Sequence, residues 1–487
     1  MRKELSLFRI ATISIALICL GAESSSAQAR RVAPATARPT PEASVAPGLS
    51  KSVKEMFDEA NAYNRVKFAE YEQKKVPPSD ALIAQTQRER KQLAAKYAAA
   101  IQPRSAELSA DELFYLGLLH WIAENLDRTR EALGAFLAKP AAETAPDKLQ
   151  DARAIVAVIH ARQKNFADAE RTIAEYVKGS PVKLSQRGQM ERELARSYRA
   201  EGQLAPAAIH ALESFRAYKA VAADPAARDK VIDEVAASGL FLFETYRALD
   251  SRPQADAALA ELRNAAVELQ SPDVFYWAVD AQVRYQIETG RKPAALQMLS
   301  ETQSQISRDF SSKQAQTVLA EKFKKRERQY RMLGETAPEL VNIDRYFPGE
   351  RTTLAALRGK VVLLDFWATW CAPCIEAFPA IHEWQQDFGK DGFVVLGLTR
   401  YYGQAEGFPV DHANEVEFLD RFRRRYAISY DFLVAKDDAN HKTYGALAIP
   451  TAAIIDRKGN IRYLETGTST SRLNEMREMI EKLIREK

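Results

Sequence analysis

Cys371 and Cys374 are the two side chains best suited to chemistry. They end the stretch DFWATWCAPC at 365–374, and the only other cysteine, Cys19, lies at the extreme N-terminus. A C-x-x-C pair can be a redox centre, half of a metal site or a staple. The loop it closes is too small to tie a large fold together. A zinc site needs four ligands, and the histidines in this part of the chain, His382, His412 and His441, have no ligand spacing. Redox chemistry has a physical logic here. A cysteine where a strand passes into a helix meets unpaired backbone N–H groups and the positive end of the helix dipole, which favour thiolate over thiol. The second cysteine, one turn along, is within disulfide reach. Pro373 falls in the first turn, where its missing N–H costs little. The expected nucleophile is Cys371, with Cys374 attacking it in turn to resolve a mixed disulfide.

The elements that must hold this pair follow from the apolar pattern. KVVLLDFW (360–367), FVVLGLT (393–399) and TAAIID (451–456) are short, branched apolar runs, as in strands buried on both faces. CIEAFPAIHEWQQDF, NEVEFLDRFRRRY and SRLNEMREMIEKLI carry helical spacing. Arg457, Lys458, Gly459 and Asn460 form the turn of a hairpin from TAAIID to IRYLET. The expectation is a compact α/β domain over 334–487.

FW-x-x-WC-x-P-C, together with GETAPEL at 334 and Ile449-Pro450-Thr451 ahead of AAIIDRKGNI, resembles the thioredoxin superfamily, most closely its TlpA/ResA-like exported thiol–disulfide oxidoreductases. The resemblance covers about 335–487. It implies a thioredoxin-like α/β/α domain with a central mixed sheet, working without metal or organic cofactor. By the same resemblance Asp365 is a buried carboxylate that handles protons for Cys374. Pro450 is cis and packs beside the disulfide, and the backbone around Ile449 pairs with a substrate peptide. Trp370, Ile449, Pro450 and Thr451 are thus the expected substrate contacts, and Trp367 is a packing residue. One departure stands out. The family often carries Glu three residues after the second cysteine, where this chain has Ala377. Glu376 lies one residue earlier, rotated by about 100° on a helix, and receives no role. The loop YYGQAEGFPVDH lies in the family's central insertion, with Tyr401 and Tyr402 as weak candidates for shaping the substrate surface.

The rest of the chain is different. Residues 51–333 are Ala- and Leu-rich with apolar spacings of three and four, which predicts helices. Related segments recur, and aligning the small residue that opens each second helix gives Thr129, Ala169, Ala207, Ala257 and Ala295. This resembles a degenerate tetratricopeptide-like array, whose surface is expected to dock a protein partner. His120, His160 and His210 are isolated and expected to be packed or solvated. The charged stretch EKFKKRERQYR (321–331) is expected to be a solvated connecting helix. The overall expectation is a multidomain α plus α/β chain, with the helical array first.

Residues 1–29 combine a basic start, an apolar run of about eleven residues and the small-x-small pattern Ala27, Gln28, Ala29, and so read as a cleavable export signal. Ile18 ahead of Cys19 is bulky where lipoprotein processing takes a small residue. Residues 30–50, rich in Pro and Ala, read as a flexible tether. The 69 Lys and Arg against 65 Asp and Glu give a net charge of +4 with no basic stripe, which argues against nucleic-acid binding. Together these features predict a periplasmic or otherwise exported protein disulfide reductase acting on protein thiols and disulfides. In an oxidising compartment it would be recharged by a membrane electron donor. The competing expectation is a helical scaffold whose thioredoxin domain is a redox-sensitive binding module.

Overall fold

Apolar residues spaced three and four apart fold into helix hairpins in the first part of the chain. A computed structural model describes residues 51–77, 79–349 and 351–486. The expected export signal and tether lie outside the described residues. The helices are α1 (Val53–Gln73), α2 (Asp80–Ile101), α3 (Ala110–Ile122), α4 (Leu126–Ala138), α5 (Pro146–Arg162), α6 (Phe166–Lys178), α7 (Leu184–Ala200), α8 (Leu204–Ala222), α9 (Pro225–Ala248), α10 (Arg252–Glu268), α11 (Pro272–Glu288), α12 (Lys292–Asp309) and α13 (Lys313–Met332). None of the helices in the described residues is long and apolar enough to cross a membrane.

The hairpins share one turn. Between α3 and α4, α5 and α6, α7 and α8, α9 and α10, and α11 and α12, the chain reverses through a residue of positive φ: Glu124, Lys164, Gly202, Asp250 and Gly290. Five residues after each stands Thr129, Ala169, Ala207, Ala255 or Ala295, every one fully buried. The aligned small residue of the fourth hairpin is therefore Ala255; Ala257 points to solvent. Small residues are required because the paired helices touch. A Cβ added at Gly117 of α3 would stand 2.5 Å from the Leu133 Cδ2 atom of α4.

The strands are β1 (Ile343–Phe347), β2 (Val361–Phe366), β3 (Phe393–Arg400), β4 (Gln404–Ala405), β5 (Phe408–Pro409), β6 (Asp431–Ala435), β7 (Thr451–Ile455) and β8 (Ile461–Thr466). Four helices accompany them: α14 (Ala372–Phe388), α15 (His412–Arg425), α16 (Ala439–Tyr444) and α17 (Thr470–Arg485). Six strands form one mixed sheet in the order β1-β6-β3-β2-β7-β8. β2 runs parallel to β3 and antiparallel to β7, and all six of its residues are buried.

Two compact units divide the chain, one reaching Ala258 and the other starting at Leu259. The second unit contains α11–α13 as well as the sheet. The stretch 321–331 was expected as a solvated connector, yet it buries Phe323, Arg326, Gln329 and Tyr330 and exposes only its other face. Its charge is compensated: Arg326 pairs with Asp280 of α11 at 3.0 Å and with Glu465 of β8.

Candidate active site

The cysteine pair stands where β2 passes into α14. Trp367 and Ala368, just beyond β2, are buried. The Trp367 indole lies edge-on to Phe378 and Phe432, with centroids 5.6 and 5.2 Å away. Its space is left open by Gly397 of β3, where a Cβ would meet Trp367 Nε1 and Phe432 Cβ at 2.9 Å each. Cys371 is then the N-cap of α14, its Sγ accepting the Cys374 backbone N–H at 3.3 Å. A disulfide joins the two cysteines, whose Cα atoms are 5.3 Å apart. Only 4% of Cys371 and 1% of Cys374 is exposed, so Cys371 is the more accessible of the two.

Asp365 precedes Trp367 by two residues, which in a strand puts both on one face of the sheet. Leu363, two residues earlier, belongs to the apolar cluster that also holds Cys371, Cys374, Phe378 and Tyr430. Asp365 is itself buried, and burial pushes its carboxyl up to about 7. Such a group exchanges a proton near neutral pH, whereas an exposed carboxylate would remain ionised.

Ile449–Pro450 is a cis peptide bond at the start of β7. Thr451 registers against Phe366 and Ala452 against Asp365, so Pro450 lies at the end of β2 from which the cysteine turn departs. Ile449 is partly buried against the cluster containing both cysteines. Thr451 is fully buried, and its hydroxyl donates to the Ala448 carbonyl at 2.6 Å. It therefore shapes the loop from behind and offers no exposed surface.

Trp370 is 54% exposed and meets Tyr402 edge-on, with centroids 5.4 Å apart. The Arg400 guanidinium covers the Tyr402 ring at 4.3 Å. Beside Trp370 opens a groove of about 470 Å³ lined by Thr369, Phe418, Arg421, Phe422 and Arg425, among others. Tyr401 is buried, donates to Asp344 at 2.7 Å and stacks on His412. Glu376 is exposed, as its helical phase predicts. Among the described residues, no three His, Cys, Asp or Glu side chains are grouped so as to hold a metal ion.

Comparison with known proteins places this domain. Residues 332–480 match the Redoxin family model. The thiol-disulfide oxidoreductase ResA of Geobacillus thermodenitrificans (strain NG80-2) is 30% identical over 138 residues, which make up 28% of this chain and 71% of the relative. The chain belongs to the ResA-type thiol-disulfide oxidoreductases. The thioredoxin-like protein YneN of Bacillus subtilis (strain 168) is 32% identical over 124 residues, 26% of this chain and 66% of its own length. A putative thiol:disulfide interchange protein DsbE from Chlorobium tepidum aligns in structure with 31% of this chain and 97% of its own, at 25% identity and a TM-score of 0.26.

Within this ResA-type domain, two buried residues carry no mark in the sequence of the part they play. Glu415 is buried at the start of α15 and accepts the backbone N–H groups of Tyr402 and Gly403 at 2.8 and 3.0 Å, fixing the loop beneath Trp370. In the sequence it is one more carboxylate in a first helical turn. Tyr430 is buried, and a Cβ at Gly397 would be 3.3 Å from its ring. Gly397 registers against Asp365, so the ring sits on the Asp365 face of the sheet. The sequence offers as a signal only an aromatic residue directly before β6.

Proposed function

We propose that this chain is an exported protein disulfide reductase whose helical region, 51–333, docks a protein partner and whose domain over 334–487 carries out the exchange. The observation that carries the reading is the Cys371–Cys374 disulfide at the N-terminus of α14, with Cys371 as the capping residue. In the reduced enzyme the Cys371 thiolate attacks one sulfur of a substrate disulfide. That bond breaks, the first substrate thiol leaves, and Cys371 is joined to the substrate. Cys374 loses its proton to Asp365 and attacks the Cys371 sulfur. The second substrate thiol leaves, and the enzyme disulfide remains. Two electrons have passed from Cys371 and Cys374 to the substrate.

Trp370, Ile449 and Pro450 frame the approach to Cys371, with the peptide edge around Ile449 receiving the substrate backbone and Thr451 holding that edge from behind. The small Ala372 and Pro373, with no histidine to stabilise the thiolate, favour a reductant over a strong oxidant. A reductant working outside the cytoplasm needs a membrane protein to return it to the dithiol form. The signal pattern at 1–29 supports export, and the tetratricopeptide-like recurrence of small residues supports docking by the helices.

Cys374→Ser expressed in the native host tests the reading. Mixed disulfides should accumulate through Cys371 on a defined set of exported proteins identified by mass spectrometry. Absence of such adducts, with the helical region still retaining a partner, would favour the scaffold reading.

A further inference from the structure

A hydrogen-bonded chain runs from α13 to the loop that carries Pro450. Gln329, buried on α13, donates from Nε2 to the Thr466 hydroxyl at 3.0 Å. The Thr466 and Thr451 hydroxyl oxygens are 2.9 Å apart, and Thr451 donates to the Ala448 carbonyl at 2.6 Å. The Pro450 carbonyl accepts the Gly467 N–H at 2.7 Å, so the loop is held on both sides by the end of β8.

The direction of each link is fixed by chemistry. A carbonyl only accepts, so Thr451 spends its single O–H on Ala448, and Thr466 must donate to Thr451. Thr466 then needs a donor, which is the Gln329 amide nitrogen. At the other end Arg326, which can only donate, faces the Gln329 Oε1 atom and so sets which way the amide points. Arg326 also donates to the Leu464 carbonyl at 2.9 Å and to Asp280 at 3.0 Å, while the Tyr330 hydroxyl holds Asp280 at 2.6 Å. The chain is therefore polarised from Asp280 and Arg326 through Gln329, Thr466 and Thr451 to the carbonyl of Ala448, one residue before Ile449. A buried network satisfied at every member permits one arrangement and resists others.

We propose that Gln329, a residue of the helical region, is a positioning residue for disulfide exchange: through Thr466 and Thr451 it orients the Ala448–Pro450 backbone that receives the substrate peptide. This rests on the reductase reading, in which that backbone is the substrate edge. Residues before the sheet thus complete the active-site loop, and the exchange domain depends on α13 for its specificity toward peptide disulfides.

The test uses the full chain and two disulfides: insulin, which offers a peptide backbone beside the sulfur, and dithiobisnitrobenzoate, which does not. Gln329→Glu keeps the size and the pairing with Arg326 but cannot donate to Thr466. It should lower kcat/KM for insulin about tenfold, chiefly through KM, and change exchange with the aromatic disulfide less than about twofold. Thr466→Val should behave alike, and the double variant should be no worse than either single one, because both break the same chain. Equal losses on both disulfides, additive losses, or no loss on insulin would overturn the proposal. If the wild type is active and Gln329→Glu is silent, only this proposal fails. If the wild type reduces neither disulfide, the reductase reading fails and this proposal with it.

Discussion

Asp365 sits in a strand otherwise built of Val, Leu and Phe, and its protonation behaviour follows from that burial. An unfolded Asp ionises near 3.8, whereas here the carboxyl is pushed up to about 7. Between those values the folded chain holds a proton that the unfolded chain has released. Stability contributed by this group is therefore fully retained below pH 3.8 and declines as pH rises toward 7, by about 1.4 kcal/mol per unit or on the order of 4 kcal/mol in all. Asp365→Asn should match the wild type in denaturant melts at pH 4 and exceed it above pH 7; equal stability at both would place Asp365 in contact with water. The same substitution should slow exchange about a hundredfold at neutral pH and remove a rise in rate centred near pH 7. With Ala372 and Pro373 between the cysteines, the potential in glutathione buffers should fall at or below about −200 mV, and a value near −120 mV would make the protein an oxidant.

Single elements show where sequence is informative. β2 and the start of α14 were legible because every residue that matters there is local: an apolar run, a cysteine at the cap, a proline in the first turn. Ile449 and Pro450 were legible only through the family pattern, since they lie far along the chain and meet the cysteine turn through the β2–β7 register. The helix hairpins were visible as recurring small residues, but the fourth was aligned two positions late, on Ala257. Only the turn at Asp250 reveals that Ala255 occupies the packed position. Gly117, on α3, shows how closely the paired helices approach. Gly117→Ala would press a methyl group against Leu133 and should cost about 1–3 kcal/mol in thermal or denaturant unfolding. A change below about 0.5 kcal/mol would mean that α3 and α4 can separate freely.

At the scale of the whole molecule, the second compact unit extends back to Leu259, although the family pattern begins near 334. The reason was not visible in the sequence. Arg326 lies in a run of charges that looks solvated, and its partner Glu465 is 139 residues away. Around them Arg284 faces Glu475 and Arg472 donates to Glu465 at 2.8 Å, linking α11 and α13 to β8 and α17. Burial raises the cost of charge on Asp280, but Arg326 and Arg284 outweigh it and hold that carboxyl below its usual range. Removing one side of a buried pair leaves the other uncompensated. Arg326→Met in the full chain should therefore lower stability by about 3–5 kcal/mol in chemical denaturation. Stability equal to that of the wild type would mean that the sheet domain does not rely on this pairing.

Exchange through Cys371, with Cys374 as resolver, is tested most directly by adduct mapping. Purified full-length Cys371→Ser and Cys374→Ser variants are mixed with a disulfide-containing peptide and analysed by mass spectrometry. The predicted result is a one-to-one mixed disulfide on Cys371 in the Cys374→Ser protein and none in the Cys371→Ser protein. An adduct confined to Cys374, or none in either variant, would contradict it.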